Sequence, residues 1–355
     1  MKNHMSLLSD PVKLKANKAF YMRSSVEKPV FGSWLFGFYI HEQFPNLVQS
    51  LTPGLVKPEH LDVDLFLQDV DRLLLAYKEL DDDLMFSTGV FYGIPWMEAI
   101  MGCPVYFKDT TIWADPCILD WKDYSWEEPT LENPWAQKLL DLLAALINHS
   151  SGRYHVSATL MRGVADMCAA MRGSTKLALD LYDQPEAVRR LAEVCANVWI
   201  EVGQAQLDLI PEVDEMGHIA SVGSLRCWLP GKGIWLQDDA ASVLSPNFYE
   251  QLFLPQVKKI VSHFPYVVMH LHGTYLWLID QLLEIKEIDA LELNYDAGIV
   301  QLEEILPAWK KIQTKKPCIA FATATLEELA FIADQLDPIG LSLQTLASTV
   351  EEARQ

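Results

Sequence analysis

From Tyr266 onward the chain switches repeatedly between two hydrophobic periods, and this alternation limits the fold more than any other feature. Tyr266-Val267-Val268-Met269 is a short β-prone run, and Leu276 to Glu284 has helical spacing. Ala290 to Leu293 and Cys318 to Phe321 read as further strands, separated by a helix over Leu302 to Ile312. Thr325-Leu326-Glu327-Glu328 is a capping box that opens another helix. A strand over Ile339 to Leu343 follows, and a second box, Ser348-Thr349-Val350-Glu351, opens the last helix. Strands and helices in strict alternation with short links imply parallel strands covered by helices.

The first half is less regular. Strands are expected over Val30 to Phe38, Leu84 to Val90 and Tyr154 to Leu160. Helices are expected over Val63 to Leu80, Trp135 to Asn148, Glu186 to Leu209 and Asn247 to His263, the last capped by Ser245-Pro246. Residues 1–25 read as an N-terminal extension, and 102–134, rich in Pro, Trp and Asp, as a surface excursion. The 355 residues, 50% of them hydrophobic, suit a single domain over 1–355. The expected fold class is α/β, a (β/α)8 TIM-type barrel with N-terminal additions. The absence of any Gly-x-Gly-x-x-Gly or Walker loop makes a nucleotide-binding open sheet the weaker alternative.

A net charge of −20 argues against a nucleic-acid partner, which needs clustered Lys and Arg. No segment is long and apolar enough to span a membrane, and the first twenty or so residues lack a signal-peptide pattern, so a cytoplasmic protein is expected. The 6 cysteines are widely spread without a CxxC pair, as buried, reduced thiols would be.

In a parallel barrel the catalytic groups gather where strands end. His270 and His272 end one strand, Glu292, Asn294 and Asp296 end the next, and Asp238 and Asp239 end an earlier apolar stretch. His155 and Arg162 flank a further strand. Two histidines at i and i+2 of a strand share a face, so both can reach one ion. Gly273 behind them lets the chain turn or a ligand approach. Neighbouring carboxylates could complete such a site or orient the imidazoles. Simple hydrogen bonding of both histidines within the barrel mouth stays open as the alternative. Asp239, Glu292 and His155 are the candidate catalytic residues, and His270 and His272 the candidate metal ligands.

Several of these segments together resemble the uroporphyrinogen decarboxylase superfamily, which includes the decarboxylase and cobalamin-dependent methyltransferases. The resemblance rests on Met161-Arg162-Gly163-Val164-Ala165-Asp166, Asp183-Gln184-Pro185-Glu186-Ala187-Val188, and Gln237-Asp238-Asp239. Leu244-Ser245-Pro246-Asn247-Phe248-Tyr249 and His270-Leu271-His272-Gly273 complete it, so that it is clearest over 150–300. It implies a (β/α)8 barrel. The decarboxylase branch implies an arginine-rich N-terminal segment that holds a polycarboxylate, but Arg23 is the only arginine here before Arg72. The methyltransferase branch implies zinc held by His-x-Cys and a later Cys. Here His272 replaces the first Cys, and Gly340 to Gln344 offers no second one. A harder, imidazole-rich site suits a methyl group on oxygen or nitrogen. The expectation is a metal-assisted methyltransferase, with zinc or another divalent ion held by His270 and His272 and Glu292 or Asp239 as third ligand or base. Its donor is a small methyl ether or methylamine, its acceptor a corrinoid on a partner protein, and an oligomer is compatible with it. A metal-free lyase using Asp238 or Asp239 on a tetrapyrrole is the alternative, and a non-catalytic small-molecule-binding barrel the next. The aromatic residues Trp34, Phe36, Trp235 and Tyr275 are expected to line the mouth.

Overall fold

The computed structural model describes residues 10–212, 216–296 and 298–355. Six parallel strands form one hydrogen-bonded sheet, in the order Val30–Leu35, Leu341–Ala347, Cys318–Ala322, Ala290–Tyr295, Val267–His272, Ile234–Leu236. Each pair of neighbours is parallel, as the strand–helix alternation requires. Met269 and Leu271 join the core beneath the covering helices, whereas Val268 packs with Val30, Trp235, Ala290 and Ile319 on the opposite, inner face. His270 and His272 continue that inner face two and four residues on.

The sheet is a curled, TIM-like half-barrel, and the expected closed eight-stranded ladder is not formed among the described residues. The remaining parallel strands shrink to Ser87–Thr88 and His155–Val156, which pair only with each other. A single bridge, Met161 to Leu236, links this side to the main sheet. The reason lies in an antiparallel hairpin, His218–Val222 with Leu225–Leu229, that the sequence reading missed. Ser87 Oγ donates to Ile219 O at 3.3 Å, and the Ser157 and Ser221 hydroxyls lie 2.6 Å apart. Backbone ladder bonds are thus replaced by side-chain bonds to the hairpin. Its Ala220, Leu225, Cys227 and Leu229 fill the space against the inner face of the sheet. Gln344 fixes it from the opposite strand, accepting from Arg226 N and donating to Arg226 O.

Several expected elements are shorter or broken. The helix expected over Asn247 to His263 is capped by Ser245 as read, but a π-turn over Tyr249–Phe253 separates Pro246–Phe248 from Leu254–Val261. The last helix is capped by Thr349 rather than Ser348, because the Thr349 hydroxyl accepts from Glu352 N. In the expected N-terminal extension, Asp10 caps the helix Pro11–Tyr21, and Tyr21 donates to Asp289 Oδ1 at 2.6 Å; residues 1–9 lie outside the described residues. The 102–134 excursion contains a second hairpin, Val105–Lys108 with Thr111–Ala114, edged by Gly54–Val56. No described helix is long and apolar enough to cross a membrane.

Candidate functional site

The parallel register sets His270 beside Glu292 and His272 beside Asn294. Glu292 is fully buried and lies against His270 Nδ1. Asp296 accepts from His272 Nδ1, with its oxygens at 2.8 and 3.0 Å, and is itself held by Gly273 N at 3.2 Å and Asn294 Nδ2 at 2.8 Å. Each imidazole therefore spends Nδ1 on a carboxylate and presents Nε2 elsewhere. Both Nε2 atoms stand 3.7 Å from the same oxygen, Asp239 Oδ1. The donor atoms of Asp239, His270 and His272 all lie within 4.8 Å of one another, close enough to hold one metal ion.

Asp239 is placed by four contacts. Gln237 Nε2 donates to Oδ2 at 2.9 Å and the Tyr275 hydroxyl to Oδ1 at 3.2 Å. Asp166, at the N-terminus of the helix Val164–Arg172, accepts from Asp239 N at 3.2 Å and Ala240 N at 2.6 Å. Burial, with the Asp239 charge nearby, pushes the Asp166 carboxyl up to about 6. Burial opposes the charged form of His270, but Glu292, Asp239 and Asp296 outweigh it and hold the ring up to about 9. Three carboxylates around two imidazoles leave the centre short of positive charge, a deficit that a divalent cation meets.

Asp238 differs from its neighbour. It is completely buried, accepts from Ala165 N at 2.7 Å and from the Tyr249 hydroxyl at 2.8 Å, and points away from solvent into the fold. Burial and the charge of Asp166 raise its carboxyl pKa well above the usual value. Gly163 packs against this turn so closely that an added methyl would overlap Gln237 O and sit 2.6 Å from Asp238 Oδ1. Gly163→Ala is therefore expected to destabilise the protein by about 1–3 kcal/mol, through overpacking that displaces the strand end carrying Asp239. A urea midpoint unchanged from wild type would contradict this.

His270, His272, Asp239, Asn294 and Asp166 face a cavity of about 710 Å3, within the usual range for small-molecule sites. Its aromatic wall includes Trp34, Phe38, Tyr92 and Phe321, with Tyr39 and Trp96 also on the lining. Trp34 and Phe38 meet edge-on at 5.1 Å, as do Phe38 and Phe321 at 5.7 Å. Of the four aromatic residues expected there, only Trp34 lines it: Phe36 lies under Arg72, Trp235 is in the inner core, and Tyr275 serves Asp239. The guanidinium at this cavity is Arg162, which is paired with the buried Glu98 at 3.3 Å.

His155 is not among the residues lining the cavity. It begins its short strand instead of ending it, is almost fully buried, and has no partner on Nε2. Burial and then the His218 charge lower its pKa to about 3, so it is a neutral core group. Sequence reasoning gave Asp166 and Gln237 only as parts of the resemblance and Tyr275 only as a mouth aromatic; it missed their role in placing Asp239, which depends on backbone turns and cross-chain contacts.

No protein-family model and no curated protein sequence matches this chain. Among solved structures, it is similar to a methyltransferase from Methanosarcina mazei, with a TM-score of 0.67 and 11% sequence identity over 96% of this chain and 94% of the other. At that identity the likeness establishes the fold. Fold and site together define a TIM-like α/β protein with a two-histidine, one-carboxylate cluster lining a cavity that also carries aromatic side chains.

Proposed function

We propose that this chain is a metal-dependent methyltransferase that takes a methyl group from a small ether or amine and passes it to a corrinoid carried by a partner protein. The observation that carries the reading is the convergence of His270 Nε2, His272 Nε2 and Asp239 Oδ1, with both Nδ1 atoms already engaged by carboxylates. The donor set fits zinc or another divalent ion of similar hardness, and differs from the thiolate set implied by the resemblance to cobalamin-dependent methyltransferases. A bound divalent ion supplies a Lewis acid that draws charge from the heteroatom losing its methyl group.

The chain's own residues do the rest. Glu292 and Asp296 engage Nδ1 and set the tilt of the rings, so that Nε2 of each would turn its lone pair to a bound ion in place of a proton. Gln237, Tyr275 and Asp166 hold Asp239 at the rings. The aromatic wall excludes water from one side and offers flat apolar contact to a compact donor. The methyltransferase likeness of the fold supports this reading as analogy.

The lyase alternative is less well supported. Of its two candidate carboxylates, Asp238 is locked in the interior and Asp239 faces both imidazoles, and Arg162, already paired with Glu98, is poorly equipped to hold a substrate with many carboxylates. The assay mixes the metal-loaded protein and reduced cobalamin with a panel of methyl ethers and methylamines, following methylcobalamin by absorbance. Formation from at least one donor is expected, with turnover falling by roughly 10–100-fold in Glu292→Gln. Coproporphyrinogen formed from uroporphyrinogen at an enzyme-like rate, with no methylcobalamin from any donor, would overturn the reading.

A further inference from the structure

Outside this site, four of the six cysteines lie in two close pairs that sequence spacing did not reveal. Cys103 and Cys117 flank the Val105–Lys108 and Thr111–Ala114 hairpin, whose antiparallel register continues through the bond from Asp115 N to Pro104 O at 2.9 Å. The hairpin thereby brings the two sulfurs to 3.2 Å, with the Cys103 thiol donating to Cys117 Sγ. Cys103 is buried, while Cys117 is partly exposed and lines a cleft of about 580 Å3 together with Gly102, Asp120 and Tyr124. At the other end of the same hairpin, Thr110, Thr111 and Ile112 line the candidate active-site cavity. Cys117 N is bonded to Met171 O at 3.0 Å, so the outgoing arm is tied to the helix Val164–Arg172.

We propose that Cys103 and Cys117 form a dithiol–disulfide redox site, a reversible staple at the base of the hairpin that walls the active-site cavity. The Cys103 hydrogen bond holds the Cys117 thiol below its usual value, and the same bond together with burial holds Cys103 above its own. Cys117 is therefore the attacking sulfur and Cys103 the resolving one. The oxidant is a low-molecular-weight disulfide. The Cys117 thiolate attacks one of its sulfurs, the S–S bond breaks, and one thiolate leaves. Cys103 then attacks Cys117 Sγ, its proton passes to the second departing thiolate, and the protein disulfide forms. Two protein thiols are oxidised and one small disulfide is reduced to two thiols. Cys168 and Cys195, with sulfurs 4.0 Å apart, are fully buried and out of reach of such a reagent.

The test incubates the full chain with oxidised glutathione, blocks free thiols by alkylation under denaturing conditions, and maps the peptides by mass. A Cys103–Cys117 disulfide is expected, with Cys168, Cys195, Cys227 and Cys318 all alkylated. Oxidation is expected to raise the Tm of wild type and to leave that of Cys117→Ser unchanged, because a closed ring restricts the unfolded chain. Recovery of both sulfurs as free thiols would overturn the proposal, as would a persistent glutathione adduct on Cys117 or a Cys168–Cys195 cross-link in place of the expected one. Should Cys117→Ser not fold, the wild-type peptide map alone decides the matter.

Discussion

Wild type is expected to purify with about one divalent ion per chain, and His270→Ala and His272→Ala are each expected to purify without it. Removing either leaves one imidazole and Asp239, too few donors for a tetrahedral site. The loss should exceed the about 10–100-fold in metal affinity expected for Glu292→Gln and Asp296→Asn, which only orient the rings. Asp239→Asn is expected to fall with the histidines in affinity, since its oxygen is the third converging atom. Elemental analysis of protein prepared without a histidine tag, followed by competition with a chelator, separates the two classes. Far-ultraviolet circular dichroism checks that each variant keeps its fold. Stoichiometric metal retained in both histidine variants would remove the metal assignment.

The second large effect concerns acid. His155 and His218 are both buried with an unpartnered Nε2, and both stay neutral in the folded chain, His155 down to about 3 and His218 down to about 4. For His218 the cause is burial, then the Lys232 charge. Unfolded, each takes a proton near pH 6.5. Below that pH the unfolded state binds more protons than the folded one, so stability is intact above about pH 6.5 and is lost as the pH falls toward 4. The slope is about 1.4 kcal/mol per pH unit for each histidine. Asp166 works in the opposite direction over part of this window, because its folded pKa is raised to about 6. Comparison with His155→Leu isolates the histidine contribution. The stability gap between wild type and this variant should change by about 1.4 kcal/mol for each pH unit between 6 and 4, moving in favour of the variant on acidification. Urea midpoints that run parallel across this range would show that His155 titrates normally.

A variant at His155 is thus expected to report on stability and one at Asp239 on the proposed metal site, and the sequence treated both as catalytic candidates. The distinction is between the start and the end of a strand. Tyr154 to Leu160 reads as one strand from its composition, but only His155–Val156 forms a ladder, and the residues facing the cavity are Leu160 and Arg162. Strand polarity relative to the cavity is set by the pairing of neighbours, which no single segment encodes.

What the sequence alone determined is periodic and local. The alternation after Tyr266 specified parallel strands, Ser245 and Thr325 marked helix starts, and the i, i+2 spacing of His270 and His272 placed both rings on one face. The hairpin turning at Gly223-Ser224, with Gly223 at φ +55°, was not read from the sequence, and neither was its insertion against the sheet. What only the tertiary structure decided is a matter of register and cross-chain contact. Asp238 and Asp239 are adjacent and chemically identical, yet one is locked under Tyr249 and the other meets two imidazoles, because Asp166 and Gly163, some seventy residues earlier, fix the turn between them. Glu292 orients His270 instead of joining the converging group, because the strand register sets it level with Nδ1. Such assignments depend on ångström-scale placement of segments far apart in sequence, which hydrophobic period and residue type do not carry.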